Sequence, residues 1–357
     1  MTNVRLAKPM TLRGLTIRNR MWVPPMCQYH VRAQDGVPEP WHLVHYGSLA
    51  VGGFGLIIAE STGIVPEGRI SPECTGIWND EQVEAWRGIV HFVHSQGAAM
   101  GVQLNHAGRK ASTIPMRPGL GSGSVPVDEG GWETVAPSPI AADGQDTPRE
   151  LTTEEASALP AQFAAAAERA MAAGFDTVEL HAAHGYLLHQ FLSPLTNQRE
   201  DEYGGDFEGR TRLLLETVDT VRGVLNNDTP LLVRLSATDW TKGGWLLEDS
   251  VRLAPLLKER GVDLMDISTG GNVRAKIPVE PGYQVPMASA VRETGMPTAA
   301  VGLITNPEHA EYILEDGHAD AILLGREALR NPQWPNHALK QLGADDLPFA
   351  ESYFRAW

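Results

Sequence analysis

The densest group of side chains that could do chemistry is the segment His181-Ala-Ala-His-Gly-Tyr186. Imidazole N–H groups are suitable donors to a carbonyl oxygen that gains negative charge in a transition state. A tyrosine with an unperturbed pKa of about 10 keeps its proton at neutral pH and can deliver it as a general acid. One such residue alone is most often a satisfied core residue. Three together predict that His181 and His184 polarise a carbonyl while Tyr186 protonates a neighbouring carbon.

The same histidines allow a second interpretation. His181, His184 and His189 are spaced like zinc ligands, and metal-dependent hydrolases also use barrel folds. The rest of the sequence offers no ring of Asp, Glu and His side chains to complete the site, and His189 falls on the helix expected to follow. We therefore expect no metal, and a metal-dependent barrel hydrolase using His181 and His184 stays the alternative hypothesis.

The elements that must position these residues follow a repeating pattern. Short runs rich in Val, Ile and Leu alternate with longer stretches compatible with helices, which is typical of a parallel sheet with crossover helices. Eight such pairs fit a closed (β/α)₈ TIM barrel better than an open sheet. The predicted strands are Met21–Tyr29, Gly55–Ser61, Met100–His106, Thr177–His181, Leu231–Ser236, Leu264–Ser268, Thr298–Leu303 and Ala321–Gly325.

Two additions to the barrel are expected within a single domain of residues 1–357. Thr11–Ile17 is predicted to form a hairpin that turns at Gly14 and plugs the N-terminal end of the barrel. The segment 108–150, crowded with Gly, Pro and Ser, follows the third strand. A loop of this length in a compact domain is usually a lid or a binding loop.

The predicted strand ends are polar, although a barrel without a ligand would not need them to be. A buried polar group costs about 1–3 kcal/mol unless it is paired. Because TIM-barrel chemistry sits at the C-terminal ends of the strands, these residues predict a polar cofactor or substrate over the barrel mouth. They are Cys27, Ser61, Gln103, His181, Arg234, Ser268, Gly302 and the pair Gly325-Arg326.

The residues that follow the last two predicted strands indicate a phosphate-binding site. Gly302 and Gly325 follow strands seven and eight, where this fold often binds phosphate on backbone N–H groups. Arg326 would supply the countercharge. Two glycines alone could simply end strands, but with the arginine they favour a phosphorylated cofactor.

Composition limits the partners. The chain has 357 residues, 29 Lys and Arg against 44 Asp and Glu, and a net charge of −15. Such a chain is repelled by nucleic acid and by anionic membranes, and no apolar run is long enough to cross a bilayer. Its two cysteines, Cys27 and Cys74, are too few for a secreted disulfide scaffold. We expect a cytoplasmic protein that acts on a small molecule.

Motifs along nearly the whole chain resemble the old yellow enzyme family. Cys27 and the His-x-x-His pair are similar to its branch of thermophilic-like ene-reductases and xenobiotic reductases. The motifs are Pro24-Pro-Met-Cys-Gln-Tyr29, Gln103-Leu-Asn-His-Ala-Gly-Arg-Lys110, His181-Ala-Ala-His-Gly-Tyr186, Phe191-Leu-Ser-Pro194, Asp201-Glu-Tyr-Gly-Gly205 and Leu323-Leu-Gly-Arg326.

The resemblance implies one FMN per barrel, reduced by NADPH or NADH in a ping-pong cycle. Hydride from the flavin N5 then reduces the activated C=C bond of an α,β-unsaturated carbonyl, with nitro compounds as a further substrate class. The residues implied against the isoalloxazine ring are Pro25, Met26 and Cys27, of which Cys27 also tunes its potential. Those implied at its polar edge are Ser61, Gln103 and Arg234. Those implied at the phosphate are Gly302, Gly325 and Arg326.

The resemblance also implies a substrate site. His181 and His184 would bind the carbonyl oxygen, Tyr186 would protonate the α-carbon, and Tyr29 would help close the pocket. The C-terminal segment 345–357 matches the branch in which a terminal arginine and aromatic residue reach into the neighbouring subunit's site. This match implies a homodimer in which Arg355 and Trp357 complete the partner's substrate pocket.

Overall fold

A computed structural model describes residues 4–357, so Met1–Asn3 lie outside the described residues. Its strands alternate with helices as the sequence predicts. In chain order the strands are β1 (Met10–Leu12), β2 (Leu15–Ile17), β3 (Met21–Val23), β4 (Leu56–Gly63), β5 (Ala99–Asn105), β6 (Val135–Ala136), β7 (Arg149–Glu150), β8 (Thr177–Ala182), β9 (Leu231–Ser236), β10 (Leu264–Ser268), β11 (Thr298–Ala300) and β12 (Ala321–Leu323).

Eight of these strands close into a parallel barrel. Around the barrel their order is β3, β4, β5, β8, β9, β10, β11 and β12, and β12 pairs with β3 to complete the ring. Each predicted strand overlaps one of them. The predicted (β/α)₈ barrel is therefore confirmed.

Helices cover the outside of the barrel. They are α1 (Pro40–Val51), α2 (Asp80–Ser95), α3 (Thr153–Ala173), α4 (Leu187–Leu192), α5 (Phe207–Val224), α6 (Leu247–Glu259), α7 (Val285–Arg292), α8 (Pro307–Glu315), α9 (Arg326–Arg330) and α10 (Trp334–Gln341). The α3 helix begins with a capping box between Thr152 and Glu155 and ends at Gly174, which has φ +95°. Among the described residues, no helix is both long and apolar enough to cross a membrane.

The lower half of the barrel interior is apolar and closed. The inward-facing side chains of this layer are Trp22, Leu56, Ile58, Leu232, Leu264, Ala299, Ala321 and Leu323. Leu12 and Ile17 of the β1–β2 hairpin pack onto the same layer, and the hairpin turns at Arg13-Gly14 as predicted. The N-terminal end of the barrel is thus plugged, which leaves only the C-terminal end open to a ligand.

Three predicted strands are too long by two or more residues, and the smallest of these differences is in β12, which ends at Leu323 rather than Gly325. The β3 strand ends at Val23 rather than Tyr29, because Pro24 and Pro25 have no backbone N–H to donate to a neighbouring strand. The β11 strand ends at Ala300 rather than Leu303, where Gly302 adopts φ +128°. Cys27 and Gly302 consequently lie at the barrel mouth on the segments that follow β3 and β11, and not on the strands themselves.

The long segment 108–150 folds over the mouth and is held at both sides. Arg109 donates to the carbonyl oxygens of Ile140 (3.0 Å) and Asn272 (2.7 Å). Trp132 donates from Nε1 to the Glu67 carbonyl oxygen at 2.8 Å and stacks on the Arg69 guanidinium, 5.0 Å from its ring centre. These contacts give the segment one defined path above the open end of the barrel.

Candidate active site

A polar layer lies above the apolar one, on the same inward-facing rows of the strands. Its members are Ser61, Gln103, Glu179, Arg234 and Asp266, all of them buried. Ser61 joins the layer because β4 contains a bulge between Ala59 and Ser61. The extra residue of the bulge, Glu60, turns outward, where its carboxylate lies 3.3 Å from His42.

In this layer the charge of Arg234 acts on two carboxyl groups, those of Asp266 and Glu179. Arg234 lies 3.0 Å from Asp266, and Gln103 donates to Glu179 at 2.8 Å. Burial, and next the charge of Asp266, raise the pKa of Glu179 to about 8. Burial raises the pKa of Asp266 to about 6. At neutral pH Glu179 therefore holds a proton, and the charge of Asp266 balances that of Arg234.

The two histidines of the predicted site lie at the top of this layer. Their ring centres are 5.3 Å apart and the rings are nearly perpendicular. His181 Nδ1 accepts from the Ala183 N–H (3.3 Å), so the neutral ring carries its proton on Nε2. His184 Nε2 pairs with Ser268 Oγ at 2.7 Å. Burial and nearby cations, Arg234 among them, hold the pKa of both rings well below 6.5, so both are neutral hydrogen-bond donors.

Tyr186 lies beside the histidines on an apolar wall. Its ring centre is 4.8 Å from that of His181. Burial, and next the nearby Cys27, raise the pKa of the Tyr186 phenol well above 10, so it stays protonated. The residues that form this wall with Tyr186 are Cys27, Tyr29, Ile70, Cys74, Ala107, Ala111 and Trp132.

The backbone that presents these side chains is tightly held. His184 and Gly185 both adopt left-handed conformations, with φ +57° and +74°. A Cβ on Gly185 would lie 2.6 Å from the Gly271 carbonyl oxygen, so only glycine fits. The Lys110 ammonium donates to the carbonyl oxygens of both His184 (2.8 Å) and Gly271. His184 and Tyr186 are thereby fixed on either side of a rigid turn.

His189 lies behind this turn and supports it. Its Nδ1 accepts from the Gly185 N–H at 2.9 Å, and its Nε2 lies 3.0 Å from Asp239. Within residues 4–357 no group of three His, Cys, Asp or Glu side chains could hold a metal ion. The geometry therefore gives the hydrolase hypothesis no set of ligands.

We expect Asp239→Asn to destabilise the protein by about 1–3 kcal/mol, because Asn keeps only one acceptor oxygen and turns an NH₂ group toward a buried donor. Burial alone would raise the pKa of Asp239. Hydrogen bonds from His189, Ser193 (2.6 Å) and the Trp245 N–H (2.9 Å) outweigh it and lower that pKa to about 2. A lowered pKa adds stability above the unfolded value of about 3.9 and loses it as pH falls through about 2.

Urea unfolding at several pH values measures this contribution. The gap between the wild type and Asp239→Asn should be full at pH 7 and should shrink toward about pH 2. Asp219→Asn, which changes a carboxylate whose side chain is 56% exposed, is the matched control and should stay within about 0.5 kcal/mol of the wild type. Equal stability of the two variants at pH 7 would contradict the assignment.

Two cavities open at the barrel mouth. One of about 460 Å³ is bounded by Tyr29, Tyr186, Lys110 and the long segment. The second, of about 210 Å³, collects the residues predicted to bind phosphate, and its lining includes Arg234, Ser268, Gly302, Gly325, Arg326 and Arg330. The larger cavity is lined by Tyr29 and Tyr186 but not by His181 or His184, whereas the smaller one gathers the predicted phosphate-binding residues in one place.

The predicted C-terminal residues lie elsewhere in this chain. Arg355 and Trp357 line neither of these two cavities. Trp357 packs on α10, with its ring 4.9 Å from that of His337. Tyr353 and Phe354 are exposed.

Comparison with known proteins gives the family of this barrel. Residues 5–345 match the NADH:flavin oxidoreductase / NADH oxidase family, and the chain belongs to it. It is 46% identical to an NADPH dehydrogenase of Geobacillus thermodenitrificans over 357 residues, covering 99% of both chains. It is 47% identical to an NADPH dehydrogenase of Listeria monocytogenes, covering 97% of both chains.

Solved structures agree with this assignment. Morphinone reductase is 31% identical, with a TM-score of 0.79 over 99% of this chain and 93% of that one. An old yellow enzyme homologue from Zymomonas mobilis is 29% identical, with a TM-score of 0.77 over 96% and 93%. The chain spans about half (52%) of the longer 2-naphthoyl-CoA reductase at 24% identity and a TM-score of 0.86, a likeness of fold alone. The protein is an FMN-dependent oxidoreductase that takes electrons from NAD(P)H.

Several residues that shape the site were not predicted from the sequence. Glu179 and Asp266 lie two residues before His181 and Ser268 on buried strands, so the period of two would have placed them inside the barrel. Lys110 is part of a motif that the sequence analysis quoted, but its bonds to two distant carbonyl groups leave no local signal. The partnership of His189 with Asp239 spans 50 residues and left no signal either.

Proposed function

We propose that this enzyme is an ene-reductase that reduces the activated C=C bond of α,β-unsaturated carbonyls, and also nitro compounds, with NADPH or NADH. The observation that carries the proposal is the convergence of His181 Nε2–H, the His184 ring and the Tyr186 phenol on one wall of the barrel mouth. Relatives named NADPH dehydrogenase and morphinone reductase support it. Free Cys27 and Cys74 suit a reducing cytoplasm.

The residues at the mouth fit FMN. The smaller cavity brings Arg326, Arg330 and Arg234 together with a single carboxylate, Glu327, which suits an anionic phosphate. Ser61 Oγ is buried and has no hydrogen-bond partner among the described residues, as expected of a group awaiting a polar ligand.

These observations support the following assignment of residues to the cofactor. Those that would hold the phosphate are Gly302, Gly325 and Arg326. Those that would bind the polar edge of the ring are Ser61, Gln103 and Arg234. Those that would lie against the ring are Pro25, Met26 and Cys27. When bound there, FMN supplies the hydride that the reaction needs.

The chain's own residues supply the rest of the chemistry. His181 donates from Nε2 to the carbonyl oxygen. Ser268 Oγ lies 2.7 Å from His184 Nε2 and 3.3 Å from Gln284 Oε1, and when its hydroxyl proton points to the nearer His184 Nε2 the His184 Nδ1–H is the second donor. Both donors strengthen as the oxygen gains charge, which activates the β-carbon. Tyr186 gives its proton to the α-carbon, while Tyr29 and the segment 108–150 restrict access of water.

Replacement of either histidine tests the carbonyl site. We expect His181→Ala and His184→Ala each to weaken binding of a phenol such as p-hydroxybenzaldehyde about tenfold or more, because a phenolate mimics the developing oxyanion and a hydrogen bond to a charged group is worth about 1.5–3 kcal/mol. Spectral titration of the oxidised holoenzyme measures the affinity. His91→Ala, on an exposed turn of α2, is the control. Unchanged affinity in both site variants would remove the histidines from the substrate site.

We further propose that residues 1–357 act as one FMN-binding unit in a homodimer whose tails complete each other's substrate pocket. The exposed Tyr353 and Phe354, which carry Arg355 and Trp357 beyond this chain's own mouth, support this arrangement. Large exposed aromatic side chains at a chain end are typical of an interface.

Removal of residues 351–357 should lower phenol affinity and weaken the dimer, since both the pocket and the interface lose contacts. Arg355→Ala should lower the affinity while the dimer persists. Sedimentation velocity and the same spectral titration measure the two effects. A full-length protein that sediments as a monomer, with phenol affinity equal to that of the truncated form, would contradict the shared site.

A further inference from the structure

The two cysteines of the chain lie together at the barrel mouth, although they are 47 positions apart. Cys27 is half-buried on the segment after β3, and Cys74 is fully buried. Both contact the apolar wall beneath Tyr29 and Tyr186. The Cys27 thiol is the hydrogen-bond partner of the Cys74 thiol, and this contact, followed by burial, raises the pKa of Cys74 well above 9.

Hydrogen bonds of the backbone hold the two segments that carry these thiols close to each other. The Val31 N–H donates to the Glu73 carbonyl oxygen at 3.0 Å, which ties the segment that carries Cys27 to the segment that carries Cys74. The Gln28 N–H donates to the buried Glu60 carboxylate at 2.9 Å. The Cys74 N–H closes a turn with the Ser71 carbonyl oxygen at 3.0 Å. Neither segment can drift from the other without breaking buried hydrogen bonds.

Accessibility differs between the two sulfurs. Cys27 is half-buried, whereas Cys74 is fully buried. A small oxidant therefore meets Cys27 first, and the nearest reductant for an oxidised Cys27 is the Cys74 thiol. This arrangement of an accessible cysteine beside a second, resolving cysteine is typical of reversible thiol oxidation.

We propose that Cys27 and Cys74 form a redox pair that hydrogen peroxide converts into an intramolecular disulfide. Peroxide oxidises the Cys27 thiol to a sulfenic acid and releases one water. The Cys74 sulfur then attacks the Cys27 sulfur, the S–O bond breaks, and the leaving hydroxide takes the Cys74 proton to give a second water. The two thiols supply two electrons, and one peroxide is reduced to two waters.

The disulfide would also affect the proposed enzymatic reaction. This part of the inference rests on the proposed function. Bond formation draws the Cys27 sulfur to about 2 Å from that of Cys74 and so turns it toward the interior. The proposed ring-facing thiol is lost while the bond persists, and it returns on reduction. Cys74 thereby protects Cys27 from irreversible oxidation to the sulfinic acid.

Mass spectrometry of the holoenzyme tests the pair without any turnover. The protein is treated with hydrogen peroxide in steps and quenched with N-ethylmaleimide in denaturant. We expect a product about 2 Da lighter that takes up no maleimide, with one peptide pair linking Cys27 to Cys74, all reversed by dithiothreitol. Activity should return with the thiols.

The variant Cys74→Ser provides the matched control. Without its resolving partner, Cys27 should gain about 32 Da as the sulfinic acid, and dithiothreitol should restore neither the thiol nor the activity. A wild type that behaves like Cys74→Ser, gaining oxygen at Cys27 while Cys74 still reacts with maleimide, would overturn the proposal. Because these readouts are masses, they stand even if the protein reduces no enone.

Discussion

Replacing Tyr186 by Phe should slow the oxidation of reduced enzyme by cyclohexenone by about 10²–10⁴-fold, the range expected when a general acid is removed. The phenol is half-buried beside His181, and loss of contact with water keeps it protonated, so its role is to give a proton rather than to bind an ion. Reduction of the enzyme by NADPH needs no such proton. Stopped-flow measurement of the two half-reactions should therefore show a loss in one alone.

The control for Tyr186→Phe is Tyr312→Phe, which removes a hydroxyl from an exposed tyrosine of α8. It should leave both half-reactions unchanged. Equal slowing of the two half-reactions in Tyr186→Phe would mean that the residue shapes the site and donates no proton. A wild-type rate of enone reduction would contradict the assignment outright.

Replacing Arg234 by Met should cost about 3–5 kcal/mol of folding free energy, as is usual when one partner of a buried ion pair is removed. Arg234 is the cation that lies 3.0 Å from Asp266, and its charge offsets part of the rise that burial causes in the pKa of both Asp266 and Glu179. We also expect most of the bound FMN to be lost on purification, because Arg234 lines the smaller cavity. Guanidinium unfolding of the apoprotein and the flavin-to-protein ratio measure the two effects.

A double variant separates stability from cofactor binding. Arg234→Met combined with Asp266→Leu removes both buried charges and should recover much of the lost stability, while FMN stays weakly bound. The control is Arg252→Met at an ion pair whose side chains are more than half exposed, where the change should stay within about 1 kcal/mol. An Arg234→Met protein that keeps full FMN would contradict the proposed contact.

The fold was predictable because its signals are local and repeated. Each barrel strand is buried and rich in apolar residues, and several large helices carry their own end signals, as Thr152 and Gly174 do for α3. The errors arose where local signals conflict. Pro24 and Pro25 end β3 within an apolar run, and the short helices α4 and α9 are too brief to show a helical period.

The site was predictable only where its residues stand at strand ends. His181, Gln103 and Arg234 were found in this way, and all three are buried inside the barrel, with His181 paired in register with Arg234. Glu179 and Asp266 lie beside Gln103 and Arg234 in the same layer, and they were missed because a later polar residue, His181 or Ser268, stands nearer the end of each of their strands. The bulge that separates the outward Glu60 from the inward Ser61 depends on pairing with β5, which no local pattern encodes.

The central claim is that this chain is an ene-reductase, and an anaerobic spectral titration tests it most directly. The purified protein should show a flavin spectrum that NADPH bleaches and that one equivalent of cyclohexenone then restores. A flavin that NADPH bleaches and cyclohexenone fails to restore would contradict the proposed substrate class while leaving the family intact. A protein that neither contains nor takes up FMN would contradict the whole account.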